Sequence, residues 1–292
     1  MHYPIKNLLL TLVMITMPMM TLGQEYDLFK ELDSLSQDKQ IFELPAFKAV
    51  QIGNLQSTKV IDKGDLYMVV AHRFGNLKNG IDDFYGLDQA NTKIQFLYGF
   101  MTNLQLGFSR DSYEKTYSGT IKYRLFNQSE QIPMNISLYG SMDINSELQK
   151  SLYPGLKPSD RYSYTAQALT SRRFSENLSI QIAPIFVRHN LQDLNFTQTQ
   201  THNQFLIGAG GRYKLSKRFS FNLDYAYNFS KDKFSLYYNP LTIGVDIETG
   251  GHVFQLLFTN SRASNDSSFL TETTGDWSKG EISFGFNIVR VF

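Results

Sequence analysis

The histidines are the first candidates for hydrolytic chemistry in this chain, which has no cysteine. Setting aside His2 in the apolar leader leaves His72, His189, His202 and His252. Hydrolysis would need one of these paired with a carboxylate, or with a Ser nucleophile and an orienting group. His189, with Asp193 just beyond it and His202 further on, is the stretch where an Asp–His pair could form. A polar loop of that length commonly holds both residue types, and no catalytic residue is assigned. There is no HxxxH spacing and no acidic calcium loop, so no metal site is expected. Asn265, Asp266 and Asp276 are loop residues that a cation could meet without any motif. Without Cys there is no haem attachment or cluster ligand, and no cofactor is expected. A net charge of +1 offers no field for nucleic acid.

A second set of residues has the spacing to line a passage. Arg218 to Ser230 alternates Phe219, Phe221, Leu223, Tyr225, Tyr227 and Phe229 with Ser220, Asn222, Asp224, Ala226, Asn228 and Ser230. Strand side chains alternate between two faces, so one face is greasy and the other small and hydrated. Lipid on one side and a wet lumen on the other would produce that pair of faces, with aromatics at the two interfaces. Placing the greasy faces outward leaves an inward set: Arg73, Lys93, Gln95, Lys122, Arg124, Thr165, Gln167, Arg212, Lys214, Asp224, Asp246, Glu248, Gln255 and Glu281. Early and middle strands supply the cations and late strands the carboxylates. Opposite signs would then face each other across the lumen, either as a field that orients a solute or as salt bridges that tie the interior shut. His72 and His252 fall on the lipid face near strand ends, where an interfacial ring is the simplest account.

The elements that position these residues repeat the same alternation. Strands are expected at Asp65–Phe74, Asn91–Phe100, Leu104–Arg110, Tyr117–Asn127, Met134–Asp143, Arg161–Arg173, Asn177–His189, Asn203–Leu215, Arg218–Ser230, Asn239–Glu248, His252–Asn260 and Glu281–Phe292. Most approach the roughly 9–11 residues a tilted strand needs to cross a bilayer. Links after even strands are mostly tight and those after odd strands mostly long, the habit of outer-membrane barrels with short periplasmic turns and long outer loops. The expected fold is all-β: a single antiparallel up-and-down transmembrane barrel of about twelve strands over 63–292. Met1–Gly23 reads as a signal peptide, with Lys6 before the apolar run Leu8–Met20. Between them, 24–62 reads as a periplasmic segment with a short amphipathic helix over Glu25–Gln40; Ile41–Asp62 is expected along the periplasmic rim. Whether that segment plugs the barrel is left open.

Around the first strands stand Ala71-His72-Arg73-Phe74-Gly75, Phe84-Tyr85-Gly86-Leu87-Asp88, Gly107-Phe108-Ser109-Arg110-Asp111-Ser112-Tyr113, Lys115-Thr116-Tyr117-Ser118-Gly119 and Lys122-Tyr123-Arg124-Leu125. The combination resembles an uncharacterised β-barrel family of Bacteroidota, a domain of unknown function, over roughly Val50 to the C-terminus. The resemblance implies an outer-membrane barrel and transfers no catalytic residue. Asp82, Asp83 and Asp88 of the first long loop could fold in against Arg110 and the basic residues of strand four and gate the mouth; paired charges of this kind more commonly tether a loop over a barrel, and a local anion site is the other reading. The terminal aromatic Phe292 resembles the signal by which the insertion machinery takes up Gram-negative barrels.

The expected location is the outer membrane of a Gram-negative bacterium, with its lipid as the surrounding partner. Three functions stay open: a narrow channel for small polar solutes, a closed barrel binding partners through outer loops that carry Phe269, Leu270 and Trp277, and a barrel hydrolase.

Overall fold

The computed structural model describes residues 45–151, 153–191, 202–232, 235–249 and 252–292. The expected signal peptide, the expected helix over Glu25–Gln40, and Asp193 lie outside the described residues. Twelve antiparallel strands close into one barrel: β1 (Leu66–Asn76), β2 (Ala90–Met101), β3 (Leu104–Asp111), β4 (Tyr117–Phe126), β5 (Asn135–Ile144), β6 (Tyr162–Arg173), β7 (Leu178–His189), β8 (Asn203–Lys214), β9 (Phe219–Asn228), β10 (Leu241–Thr249), β11 (His252–Thr259) and β12 (Ser283–Val291). Each strand pairs with its sequence neighbours, and β1 closes on β12 with Tyr67 opposite Val291 and Arg73 opposite Gly285. Closure leaves no unpaired edge, which is what allows a sheet to sit in hydrocarbon.

The side chains are sorted opposite to a soluble protein. Along β9, Phe219, Phe221, Leu223, Tyr225 and Tyr227 are exposed, while Ser220, Asn222, Asp224, Ala226 and Asn228 are buried. The same holds on β2, where Ile94, Phe96 and Tyr98 face out and Lys93, Gln95 and Leu97 face in. The outward ring continues through neighbouring strands: Phe186 meets Phe205 with ring centroids 5.3 Å apart, and Phe258 meets Phe284 at 5.6 Å. His72 lies on this outer face, stacked on Phe286 at 5.2 Å and bonded through Nδ1 to the Thr92 hydroxyl at 2.8 Å. The β6–β7 ladder lapses between the pairs Gln167–Ile185 and Thr170–Ile182. Pro184 sits in that gap and has no N–H to give.

Two segments occupy the interior. The first is 46–61, which rises from the periplasmic end, turns at Ile52–Leu55 and returns to β1. The turn is closed by Ile52 N–H to the Leu55 carbonyl at 2.8 Å, with Gln51 bridged to Gln56. The expectation that Ile41–Asp62 lies along the periplasmic rim is therefore corrected from Ala46 onward. The segment carries enough apolar residues (Phe47, Val50, Ile52, Leu55, Val60, Ile61) to need a covered place, and all are buried.

The second insert comes from the long outer loop between β11 and β12. Its short helix α1 (Asp266–Thr271) is buried at every residue. Phe269 and Leu270 pack with Leu55 of the first insert and with Leu169, Ile185, Val187 and Leu206 of the wall. Phe269 and Leu270 are therefore core residues, not part of an outer partner surface. Trp277 is half-buried and donates its indole N–H to the Leu241 carbonyl at 3.0 Å.

Candidate functional site: the occupied lumen

The wall leaves room for these inserts at positions where its inner face carries small residues. Serines 109, 118, 137, 141, 171, 179 and 220 are all buried on it, as is Ala226. Glycine makes room for the first insert and for a large wall side chain: a Cβ on Gly210 would lie 2.7 Å from Ile52 Cδ1, and one on Gly285 would lie 2.7 Å from Arg73 Cδ.

The charged wall residues hold the inserts by their main chain. Lys122 Nζ donates to the carbonyls of Val50, Ser57 and Lys59 at 3.1, 3.0 and 3.4 Å. The Asp224 carboxylate accepts the amides of Gly53, Asn54 and Leu55 at 2.8, 2.9 and 3.3 Å. Arg73 reaches the Asn54 side chain at 2.7 Å and Asn287 at 2.9 Å. Gln255 donates to the Ile52 carbonyl and Asn287 to that of Gly53. The outer insert is held the same way. Lys93 donates to the Ser264 carbonyl at 2.9 Å, Asp111 accepts the Ser264 amide at 3.1 Å, and Asp143 accepts the Ser267 hydroxyl at 2.6 Å. Cations thus take carbonyls and carboxylates take amides. A buried charge is tolerable only with such partners. The inserts meet at Asp266, which accepts Gln56 at 3.1 Å, the Tyr139 hydroxyl at 2.7 Å and Gln167 at 3.4 Å.

The inward set divides by depth. Arg73, Lys93, Gln95, Lys122, Thr165, Gln167, Arg212, Asp224, Asp246 and Gln255 are buried inside. Glu248 is half-buried near the periplasmic mouth, where it pairs with Arg212 and with Lys48 at 3.6 Å. Lys214 is half-buried at the end of β8. Arg124 turns to the periplasmic turn and binds Asn103 Oδ1 and the Thr102 carbonyl. Glu281 is a correction: it precedes β12 in the outer loop, where it pairs with Lys78 at 3.3 Å. Apart from the Arg212–Glu248 pair, the expected opposition of wall charges across the lumen is replaced by contacts to the inserts.

The proposed acidic gate is also corrected. Asp82 and Asp88 are exposed, and Asp83 caps its own loop through Asn79 at 2.6 Å and the Gly86 amide at 2.7 Å. Arg110 lies on the outward side of β3 against the Tyr117 ring at 4.9 Å. Asp111, beside it, is the residue that faces in, and sequence reading missed it because it treated Asp111 as part of the link.

Above α1 the outer loops enclose a polar cavity of about 150 Å³, lined by Glu114, Asp143, Ser163, His189, Ser267 and Glu272 among others. Glu114 comes from the turn Tyr113–Lys115 after β3 and accepts Asn145 Nδ2 at 2.9 Å. Burial, with Glu272, Glu147 and Asp111 nearby, pushes its carboxyl up to about 8. His189 contacts Ser163 Oγ through Nδ1 at 2.9 Å and Thr271 Oγ1 through Nε2 at 2.8 Å. Thr271 donates its own proton to the Ser267 carbonyl, so it accepts from Nε2–H. The nearest carboxylate, Glu272, stands 4.0 Å from Nδ1, the same nitrogen that faces the serine. A hydrolytic triad needs the carboxylate on the opposite nitrogen, so this group does not form one. Among the described residues no set of His, Asp and Glu is arranged to hold a metal ion.

The barrel is similar in fold to solved porins. NanC porin aligns with a TM-score of 0.51 at 8% identity, covering 77% of this chain and 98% of that one. KdgM porin aligns at 0.46 and 8%, covering 78% and 99%. An outer membrane channel from Pseudomonas putida F1 aligns at 0.44 and 12%, covering 80% and 98%. No curated protein sequence matches the chain significantly. The protein is a membrane-bound β-barrel. The family described as "Membrane bound beta barrel domain (DUF5777)" matches residues 47–292, from within the first insert to the last residue, and the chain belongs to that family.

Proposed function

We propose that this protein is a gated, narrow channel for small polar solutes across the outer membrane, closed in the conformation described. One observation carries the reading. The lumen is filled by two chain segments, and much of what holds them is polar contact between their main chain and wall side chains such as Lys122 and Asp224. A barrel built only as a scaffold could fill its interior with large wall residues. Withdrawal of the hairpin 46–61 would uncover Lys122, Asp224, Gln255 and Asn287, a polar lining with both signs of charge.

Residues 1–23 act in this proposal as the export signal. Phe292, exposed at the end of β12 with Arg290 over its ring at 4.7 Å, is the recognition residue for the insertion machinery. The resemblance seen in the sequence suggests a Bacteroidota outer membrane as the setting. A non-enzymatic role fits the arrangement around His189.

Single-channel recording of the purified full chain in a planar bilayer, beside a variant lacking 46–61, tests the proposal. Rare, brief steps in the full chain and steady steps in the deletion are expected. A folded deletion variant that stays silent would favour a closed barrel with a binding or structural role.

A further inference from the structure

On the lipid-facing side of the wall, from β5 to β9, lies an apolar groove of about 670 Å³. Leu138, Ala166, Ala168, Pro184, Phe186 and Phe205 are among its lining residues, and strand parity points all six outward. Elsewhere the outer face is crowded with phenylalanine, tyrosine and leucine. Here β6 presents two alanines in succession. Leu138 stands opposite Ala168 on one side, and Phe186 opposite Ala166 on the other. Phe186 continues the far side of the groove through its contact with the Phe205 ring.

Directly above the alanines stands a cation. Tyr164 and Arg188 are cross-strand partners on the same outward face, both exposed, two residues nearer the outer loops than the pair Ala166–Phe186. At the rise of a strand that separation is about 7 Å. Arg188 donates to the side-chain oxygens of Asn190 and Asn203 at 3.3 and 2.9 Å, and among the described residues no carboxylate pairs with it. A guanidinium at the edge of the hydrocarbon stays charged and presents a fork of donors that matches a phosphate. Arg110, the outward arginine at the end of β3, is disposed differently: its guanidinium lies on the Tyr117 ring and donates to the Asp111 carbonyl.

We infer that this face holds one membrane lipid with a phosphate head group, its acyl chain lying along Ala166, Ala168 and Pro184 and its phosphate on Arg188 beside the Tyr164 hydroxyl. Two features select a lipid over a second copy of the chain. The groove is continuous with the surface that already meets hydrocarbon. A copy docked here about a two-fold axis along the membrane normal would bring both Arg188 side chains to the same height with like charge. The site lies on the outside of the wall and does not depend on whether the lumen opens.

Native mass spectrometry of the folded full chain in detergent, titrated with dimyristoylphosphatidic acid, tests it. Dimyristoylglycerol supplies the same chains without phosphate, and glycerol phosphate the head group without chains. Saturable binding of one phosphatidic acid is expected, with the diacylglycerol at least tenfold weaker and no binding of glycerol phosphate. Arg188→Gln, which removes the charge, and Ala168→Phe, which fills the groove, should each weaken the phosphatidic acid at least tenfold, and Arg110→Gln should leave it unchanged. All three positions lie on the outer face, away from the inserts, and heat-modifiable gel mobility verifies that each barrel is folded. Equal binding of the phosphatidic acid and the diacylglycerol, wild-type affinity in both groove variants, or an equal loss in Arg110→Gln would overturn the inference. So would a lipid-free dimer that Ala168→Phe dissolves, since the groove would then belong to a second copy.

Discussion

Replacing Asp224 by Asn should loosen the hairpin without disturbing the barrel. Asp224 lies mid-strand on β9 and grips three consecutive amides at the hairpin tip, Gly53, Asn54 and Leu55, through one oxygen. Hydrogen bonds to a charged acceptor each contribute about 1.5–3 kcal/mol net, roughly twice the neutral value. The Leu55 contact is long and counts for less. Loss of the charge should therefore cost the seated hairpin about 2–4 kcal/mol, or a factor of roughly 30 to 1,000 in the ratio of seated to released forms. The hairpin would remain tethered by Lys122, Gln255 and Asn287, so the expected result is more frequent opening and not a permanently open pore. Gly53→Ala reaches the same contact by another route, because its Cβ would stand 2.8 Å from Asp224 Oδ2 and 2.9 Å from Thr242 Cγ2. Single-channel open probability reads both. The double variant should open about as often as the stronger single one, since both changes break one contact. If the hairpin deletion conducts steadily while Asp224→Asn and Gly53→Ala both keep the wild-type open probability, the clamp argument is refuted.

Two further tests address the outer insert. Gln56 and Asp266 join the two inserts, so alanine substitutions at both positions should be non-additive in open probability, with a coupling of about 0.5–3 kcal/mol; strict additivity would mean that the inserts move independently. Glu114 faces Glu272 from the end of α1, Glu147 from the loop before β6 and Asp111 from β3, and burial with these neighbours raises it to about 8. Between the ordinary carboxylate value and about 8, the folded chain keeps a proton that the unfolded chain has released, so stability falls as pH rises through that window. Glu114→Gln removes this loss. Hydrogen exchange at the outer loops should show the variant better protected than wild type at pH 9 and no better protected at pH 4; parallel profiles would refute the assignment.

Much of this architecture is legible in the alternation of large apolar with small polar residues, because lipid outside and polar filling inside are both imposed with period two. β9 is the clearest case, and Asp224 could be placed inward from parity alone. Its partners could not. They are main-chain amides of Gly53, Asn54 and Leu55, and a backbone amide has no identity in a sequence. The same is true of Lys122 and Lys93, whose partners are carbonyls. Parity also fails at strand ends: Glu281 lies beyond the start of β12, and Arg110 and Asp111 straddle the end of β3 with the inward role falling to the second.

The inserts themselves escaped notice for opposite reasons. The segment 46–61 spreads Phe47, Val50, Ile52, Leu55, Val60 and Ile61 without a helical or strand period, so its apolar content pointed to burial without saying where. The stretch from Ser261 to Thr271 reads as a hydrated outer loop because Ser264, Asn265, Asp266, Ser267 and Ser268 dominate it. In a soluble protein a segment that polar would stay at the surface. Inside a barrel whose wall offers serine, asparagine and charged side chains, polarity is instead what allows a segment to enter, since carbonyls and amides left over from its own turns find counterparts on the wall. A polar loop therefore carries the same signature whether it lies over such a barrel or within it. What separates the two cases here is the pair Phe269 and Leu270, whose apolar side chains have wall partners only in the interior.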